Sequence, residues 1–235
     1  MLKTVAEARQ AWAPVWIVVD GSTDGTGEAL VKLAAADAQL RVMVLERNRG
    51  KGAAVLHGLR EAMRAGFTHA LVMDADGQHP ADKIAELMAT AKANPAALIL
   101  GQPIFDRRAP LERVLWRRMS NFWAHVETLG AGIGDSLFGF RVYPIAPLLA
   151  IMARRRWMRR FDFDPEAAVR LAWCGVRIIN IAVPVKYLSA AEGGVSHFRY
   201  VRDNLLLTWM HTRLVLGLLL RLPVLLERRL RSSPR

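Results

Sequence analysis

Three apolar runs in the first half of the chain each end in a polar, glycine-bearing motif, and this arrangement constrains the fold more than any other feature. Trp16–Val19 leads into Asp20 and the loop GSTDGT. Arg41–Leu45 leads, by way of Glu46 and Arg47, into NRGKGAA, and Ala70–Met73 runs straight into DADGQHP. Short Val-, Ile- and Leu-rich runs bounded by Gly, Asn and Asp read as strands. The stretches between them have helical spacing: Gly27–Ala38, Ala53–Ala65 closed by Gly66, and Pro80–Ala93, after which Ala97–Leu100 reads as another strand. Such alternation predicts an α/β fold, a mostly parallel sheet flanked by helices on both faces. Ligands of these sheets bind beyond the carboxyl ends of the strands. That places Asp20, Asn48 and Asp74 along one crevice.

A length of 235 residues suits one core rather than two ordinary domains. Residues 1–190 read as that domain and 191–235 as a C-terminal segment attached to it. The single cysteine, Cys174, excludes an internal disulfide and any Cys-rich metal site, and fits a reducing compartment. The opening MLKTVAEARQAWAP has no apolar core before a small-residue cleavage site, so no signal peptide is expected.

The formal net charge of +12 is unevenly distributed. Residues 1–105 hold 11 basic and 11 acidic residues; residues 106–235 hold 22 basic, 21 of them Arg, against 10 acidic. Residues 107–129 predict an amphipathic helix with an Arg-rich face and Trp116, Phe122 and Trp123 among its apolar positions. Met152–Arg160 adds five arginines. Further on, DNLLLTWMHTRLVLGLLLRLPVLLERRLR is apolar but broken, its longest apolar run being Leu214–Leu220 between Arg213 and Arg221. Spanning a bilayer takes about 20 apolar residues, so a transmembrane helix is not expected. Amphipathic C-terminal helices lying in the membrane interface fit better, with Trp209 and the leucines in the acyl boundary and arginines toward anionic headgroups. The plainer alternative is a helix docked on the protein's own core. Trp116, Trp123, Trp157 and Trp209 among arginines suit headgroups or single-stranded nucleic acid; the acidic crevice favours an anionic membrane surface and no nucleic acid.

Asp74 and Asp76, at i and i+2 where a strand enters a turn, can aim oxygens at one hard cation, Mg²⁺ or Mn²⁺, which usually shares its shell with substrate phosphates. The alternative is an Asx-turn leading into the helix near Pro80. Asp20 before Gly-Ser and a helix start suits either a nucleotide or a helix N-cap. Asn48-Arg49-Gly50-Lys51-Gly52 brings two glycines and a lysine to a helix N-terminus, which favours phosphate. The spacing is not that of a Walker A loop, and no GxGxxG is followed by a ribose-binding acid.

In this order VVDGSTDGT, NRGKGAA, DADGQHP, GDSLFGFRVYP and FDPEAAVRLAWCGVRIINIAVPV resemble family 2 glycosyltransferases of the GT-A fold, especially the dolichyl-phosphate-mannose-synthase-like branch, from about Val15 to Tyr187. The resemblance implies inverting, metal-dependent transfer of a sugar from a nucleoside diphosphate of UDP or GDP type. It implies that Asp20 contacts the nucleobase or ribose, that Asp74, Asp76 and Gln78 hold metal and diphosphate, and that Lys51 lies near the nucleotide. Asp135 and Arg141 match the family's DxxxGFR segment at the donor and acceptor site. Asp164 stands where members that glycosylate hydroxyls keep their general base, a role a carboxylate suits because an alcohol must lose its proton as it attacks. N-capping of a helix over Glu166–Trp173 is the alternative for Asp164 and Glu166. His197 and Arg199 suit a mobile loop that closes over the diphosphate; the alternative for His197 is a structural or solvated ring.

Three departures refine this. The branch has Gly-Ser-Arg where this chain has Gly101-Gln102-Pro103, and Ser-Gly-Phe-Arg where it has Phe138-Gly139-Phe140-Arg141; both lost groups would face an acceptor phosphate. The tail GVSHFRYVRDNLLLTWMHTRL resembles glycosyltransferases encoded with bacterial aryl-polyene lipids, which implies a lipid-linked hydroxyl as acceptor. The family's first strand, with its nucleobase-gripping turn, has no counterpart in residues 1–13, which fall in what would be the following helix. The expectation is a peripheral enzyme on the cytoplasmic face of the inner membrane with a lipid-linked acceptor. The alternatives are a polyprenyl-phosphate glycosyltransferase and a non-catalytic GT-A domain partnering an active enzyme.

Overall fold

The structure is a computed structural model in which residues 1–104, 111–185 and 200–232 are described. The elements follow in the order α1 (Leu2–Ala11), β1 (Val15–Asp20), α2 (Thr26–Ala35), β2 (Leu40–Leu45), α3 (Lys51–Arg64), β3 (His69–Val72), a 3₁₀ turn (Ala81–Lys83), α4 (Ile84–Ala93), β4 (Ala97–Ile104), α5 (Leu111–Glu127), β5 (Arg141–Pro144), α6 (Ile145–Ala153), α7 (Phe163–Trp173), β6 (Arg177–Pro184) and α8 (Tyr200–Ser232). Each of the first three expected strands is present within one residue of its predicted ends. The helix expected from Pro80 starts instead as the 3₁₀ turn, because Pro80 is extended. Residues 2–11 form a helix rather than a strand, as expected.

The strands make two sheets. β1 and β2 pair in parallel over six residues, Val15 opposite Leu40 through Asp20 opposite Leu45. The second sheet has the order β3-β5-β4-β6. β4 and β6 pair in parallel over eight residues, whereas β5 runs antiparallel to both its neighbours. Pairing is therefore mainly parallel, with one reversed strand. All four residues of β5 are buried, so it lacks the alternation that marks a strand with one wet face.

Helices cover both sheets. On one side α3, α6 and α7 enclose Leu59, Leu98, Leu100, Tyr143, Leu148, Met152 and Phe163; on the other, α1 and α4 cover Ile99, Phe140, Val142 and Val183. Leu87 and Ile84 of α4 are buried at the spacing that seats an amphipathic helix on a sheet.

The C-terminal segment differs from expectation in being one continuous helix of 33 residues with Pro223 inside it. One face docks on α5 and α7 and buries Met210, His211, Leu214 and Leu218. The arginines that break the apolar run belong to that docked side. Arg213 pairs with Glu166 of α7 at 3.1 Å and lies over the Trp157 ring, and Arg221 lies over Trp173. Removing them from the outer face leaves it more apolar than the linear run suggests. Leu216, Leu219 and Leu220 face outward, Leu220 being 84% exposed. By length and composition Arg202–Leu230 is long and apolar enough to cross a membrane, which corrects the expectation that the segment is too broken.

Candidate active site

Strand ends and helix starts converge on a single large cavity of about 2000 Å³. Asp20, Asn48, Lys51, Asp74, Asp76, Gln78 and Asp164 all line it. The three residues expected along one crevice are therefore together, joined by four more of the predicted set.

Asp20 is anchored by backbone: its two oxygens accept the N–H groups of Arg49 and Gly50 at 2.8 and 2.7 Å. Its carboxylate thus fixes the NRGK loop just ahead of α3, and the negative charge sits near the helix N-terminus, where it is favourable. That loop must pass very close to the segment before α7, where a Cβ on Gly52 would overlap the Met158 carbonyl and meet Phe163 Cβ at 2.8 Å. This approach carries Lys51 to α7. Its ammonium lies 2.7 Å from Asp74 Oδ1 and 2.6 Å from Asp164 Oδ2. Burial alone would lower the Lys51 pKa, but the charges of Asp164 and Asp74 outweigh it and raise the pKa above that of ordinary lysine. Burial pushes the Asp74 carboxyl upward, and the charge and hydrogen bond of Lys51 reverse this to a net lowering. Gly139 closes the other side; a Cβ there would overlap Lys51 Nζ.

The DADGQHP turn contains both of the alternatives read from it. Asp76 Oδ1 accepts the Gln78 N–H at 3.0 Å, an Asx-turn, yet Asp76 is exposed and lines the cavity beside Asp74 and Gln78. Among the described residues no cluster of three or more His, Cys, Asp or Glu stands ready for a metal. The donor set is two carboxylates and one amide on one side of a wide cavity. That fits a Mg²⁺ or Mn²⁺ whose remaining positions are filled by phosphate and water, and does not fit an all-protein cage.

Asp164 is 4% exposed. Its Oδ2 meets Lys51, while Oδ1 is buried and has no hydrogen-bond partner. Neither Asp164 nor Glu166 makes the side-chain cap considered for them. Glu166 pairs with Arg170 and Arg213 instead, tying α7 to α8.

Asp135 and Arg141 sit outside the cavity lining, packed behind it. Asp135 accepts from Arg117 at 2.6 Å and from the N–H groups of Leu137 and Phe138 at 2.9 and 2.7 Å. Arg141 is fully buried, donating to the carbonyls of Phe138, Asp135, Ser136 and Asp164. The two residues that the resemblance puts at the donor and acceptor site here hold the FGFR loop against α5 and the start of α7. His197 and Arg199 lie outside the described residues.

Sequence reasoning passed over His79. Its ring stacks on Phe140 and meets Phe138 edge-on, and its Nδ1 accepts the Asp74 N–H at 3.0 Å, which holds Asp74 in place. Burial lowers its pKa, consistent with a neutral ring that accepts at Nδ1. The signal was its place five residues after Asp74. Also unpredicted are Arg160 and Arg202 in the cavity wall, and the apolar stretch formed there by Trp116, Met119 and Trp123 of α5 with Leu207 and Leu216 of α8.

A mainly parallel sheet with one reversed strand, covered by helices on both sides, is a GT-A-like fold. Residues 3–157 match Glycosyl transferase family 2, and the chain belongs to that family. It is similar to polyprenol monophosphomannose synthase of Mycolicibacterium smegmatis, 35% identical over 135 residues that make up 55% of this chain and 50% of that protein. It is also similar to undecaprenyl-phosphate mannosyltransferase of Micrococcus luteus, 28% identical over 220 residues, 87% of each chain. The match thus spans half the length of the first relative and most of the second. Among solved structures, glucosyl-3-phosphoglycerate synthase from Mycobacterium tuberculosis aligns with a TM-score of 0.55 and 15% identity, covering 93% of this chain and 74% of that one. At that identity the likeness is one of fold.

Proposed function

We propose that the protein transfers a sugar from a nucleoside diphosphate, of UDP or GDP type, to a lipid-linked acceptor at a membrane surface, with inversion at the anomeric carbon. The observation that carries this reading is the continuity of one cavity from the Asp74–Lys51–Asp164 cluster to the apolar wall of α5 and α8. A charged donor fits one end and a lipid chain the other. Asp74, Asp76 and Gln78 would hold the divalent cation, which when bound offsets charge on the departing diphosphate. Asp20 orders the loop that closes the nucleotide side, and His79, Asp135 and Arg141 keep the surrounding backbone in register.

For the acceptor, polyprenyl phosphate is the leading candidate. The two relatives named above carry polyprenol or undecaprenyl phosphate in their names, and Arg160 and Arg202 supply cationic groups in the cavity wall. This reverses the preference for a hydroxyl drawn from Gly101-Gln102-Pro103 and Phe138. In the reaction the bond from anomeric carbon to diphosphate oxygen breaks and a bond to the acceptor oxygen forms. An ionised phosphate needs no base. A lipid hydroxyl is the second reading, favoured by the unpartnered Asp164 Oδ1, which would take the proton as the alcohol attacks.

Residues 1–190 form the catalytic domain in this reading and residues 191–235 the membrane-associating part, on the cytoplasmic face. A screen of UDP-, GDP- and TDP-sugars with Mn²⁺ tests the donor half, because a ligand of the native state raises thermal stability. Stabilisation by at least one sugar nucleotide only with metal present is the expected result; none by any of them with either Mg²⁺ or Mn²⁺ contradicts it.

A further inference from the structure

His211 of α8 is buried between two partners on α5. Its Nδ1 lies 2.7 Å from Glu127 Oε1 and its Nε2 lies 3.1 Å from Ser120 Oγ. From Ser120 the bonds continue into the loop before β5. Ser120 Oγ is 3.0 Å from Ser136 Oγ, and Ser136 donates both its N–H and its hydroxyl to Asn121 Oδ1 at 2.8 Å. Asn121 Nδ2 donates in turn to Asp135 Oδ2 at 3.3 Å. The Ser136 carbonyl accepts from Arg141 at 2.7 Å, and Arg141 donates onward to the Asp164 carbonyl. One run of hydrogen bonds thus reaches from α8, through α5 and the Asp135 loop, to the residue whose carboxylate faces Lys51.

Donor counting gives this chain a single direction. A backbone N–H only donates and a carboxylate only accepts, so Ser136 and Asp135 together fix which end of the Asn121 amide is oxygen. That oxygen carries no hydrogen, so the Ser136 hydroxyl points its own at it. Ser136 Oγ is then the acceptor for Ser120, and Ser120, its one hydrogen committed, is the acceptor for His211. His211 must therefore carry hydrogen on Nε2. At Nδ1 two arrangements satisfy the contact: an imidazolium donates to the Glu127 carboxylate, or a neutral ring accepts from the Glu127 carboxyl. Ser120 and Ser136 are both buried, and turning either hydroxyl round would set lone pair against lone pair along the chain.

We infer that His211 is a positioning residue for sugar transfer: the hydrogen on its Nε2 sets the direction of the Ser120, Ser136 and Asn121 chain, which holds the Asp135 loop and, through Arg141, the backbone of Asp164. This rests on the transfer reading above and adds to it that α8 orders the site as well as meeting the membrane. Three substitutions separate the two ring nitrogens. His211→Gln puts an amide N–H where Nε2 was, His211→Asn puts one where Nδ1 was, and Ser120→Ala cuts the chain one residue further on. Initial rates are measured on the whole chain in anionic vesicles, well below every Tm, with the polyprenyl phosphate or lipid alcohol that wild type labels. In His211→Asn and Ser120→Ala, kcat is expected to fall about tenfold or more with KM for the nucleotide sugar within about twofold, while His211→Gln stays within about threefold of wild type. The double variant of His211→Asn with Ser120→Ala is expected to lose no more than either alone, because both break the same chain. NMR of isotope-labelled histidine nitrogens reads the proton directly, the His211 signal being the one lost in His211→Gln; hydrogen on Nε2 is expected. Rates alike in wild type and all the variants, equal losses in His211→Gln and His211→Asn, or a ring with hydrogen on Nδ1 alone overturns the inference. If wild type labels no lipid, the transfer reading has failed and this inference falls with it; if wild type labels lipid and the variants match it, this inference alone is lost.

Discussion

Lys51 Nζ lies 2.7 Å from Asp74 Oδ1 and 2.6 Å from Asp164 Oδ2, so one cation at the start of α3 ties the end of β3 to the first turn of α7. Replacing it leaves two carboxylates facing each other without compensation. Lys51→Met is expected to lower unfolding free energy by about 2–4 kcal/mol, somewhat under the range for a fully buried pair because Asp74 is only half-buried. Urea denaturation measures this, and a loss of under about 1 kcal/mol would mean that the pair contributes little beyond a surface bridge.

Asp164 separates the two acceptor classes. With a polyprenyl phosphate, Asp164→Asn is expected to keep transfer within about tenfold of wild type, since no proton has to be removed. With an alcohol acceptor the same change is expected to reduce kcat by about 10²–10⁴-fold. Initial rates on both acceptors decide which chemistry the site performs.

Glu127 and His211 join α5 to α8, with His211 Nδ1 2.7 Å from Glu127 Oε1 and Nε2 3.1 Å from Ser120 Oγ. Burial raises the Glu127 pKa above the ordinary 4.5, and the bond from His211 only partly offsets this. A raised folded-state pKa means that the folded protein holds the proton more tightly than the unfolded chain. Its contribution to stability is therefore complete below pH 4.5 and declines as pH rises through the folded pKa. The difference in Tm between wild type and Glu127→Gln is expected to move against wild type as pH rises from about 4 toward neutrality. A difference independent of pH would show that Glu127 titrates alike in both states.

In the proposed function the outward leucines of α8 contact the membrane. Leu219→Glu with Leu220→Glu leaves the docked face, with Arg213 on Glu166, and the cavity wall untouched. It is expected to release the protein from anionic vesicles by about tenfold or more, each buried apolar side chain contributing on the order of 1.5–3 kcal/mol. Unchanged vesicle flotation would place the membrane contact elsewhere.

Much of this was legible in the sequence, because a strand that ends in a polar turn carries its own punctuation. Val15–Asp20 and His69–Val72 fall beside Trp16–Val19 and Ala70–Met73, and Asp20, Asn48 and Asp74 share a cavity. What escaped depended on distant partners. Arg141–Pro144 has no period to betray an antiparallel strand buried on both faces. The meeting of Lys51 with Asp164 needs α3 to press against Met158, and only the glycines around Lys51 hinted at such closeness. Arg213 and Arg221 read as interruptions of an apolar run, although both are satisfied by the protein itself. Asp135 and Arg141 carry a family motif, but motif spacing does not reveal which way a side chain faces.

The most direct test of the central claim is transfer of labelled sugar from the stabilising nucleotide sugar to polyprenyl phosphate, measured with and without Mn²⁺ in wild type and Asp76→Asn. Asp76 is exposed, and asparagine keeps the oxygen that accepts the Gln78 N–H, so the change removes charge while leaving the turn intact. Metal-dependent labelling by wild type that falls by about 10²-fold or more in the variant is the predicted result. Labelling that persists without metal, or is undiminished in Asp76→Asn, would contradict it.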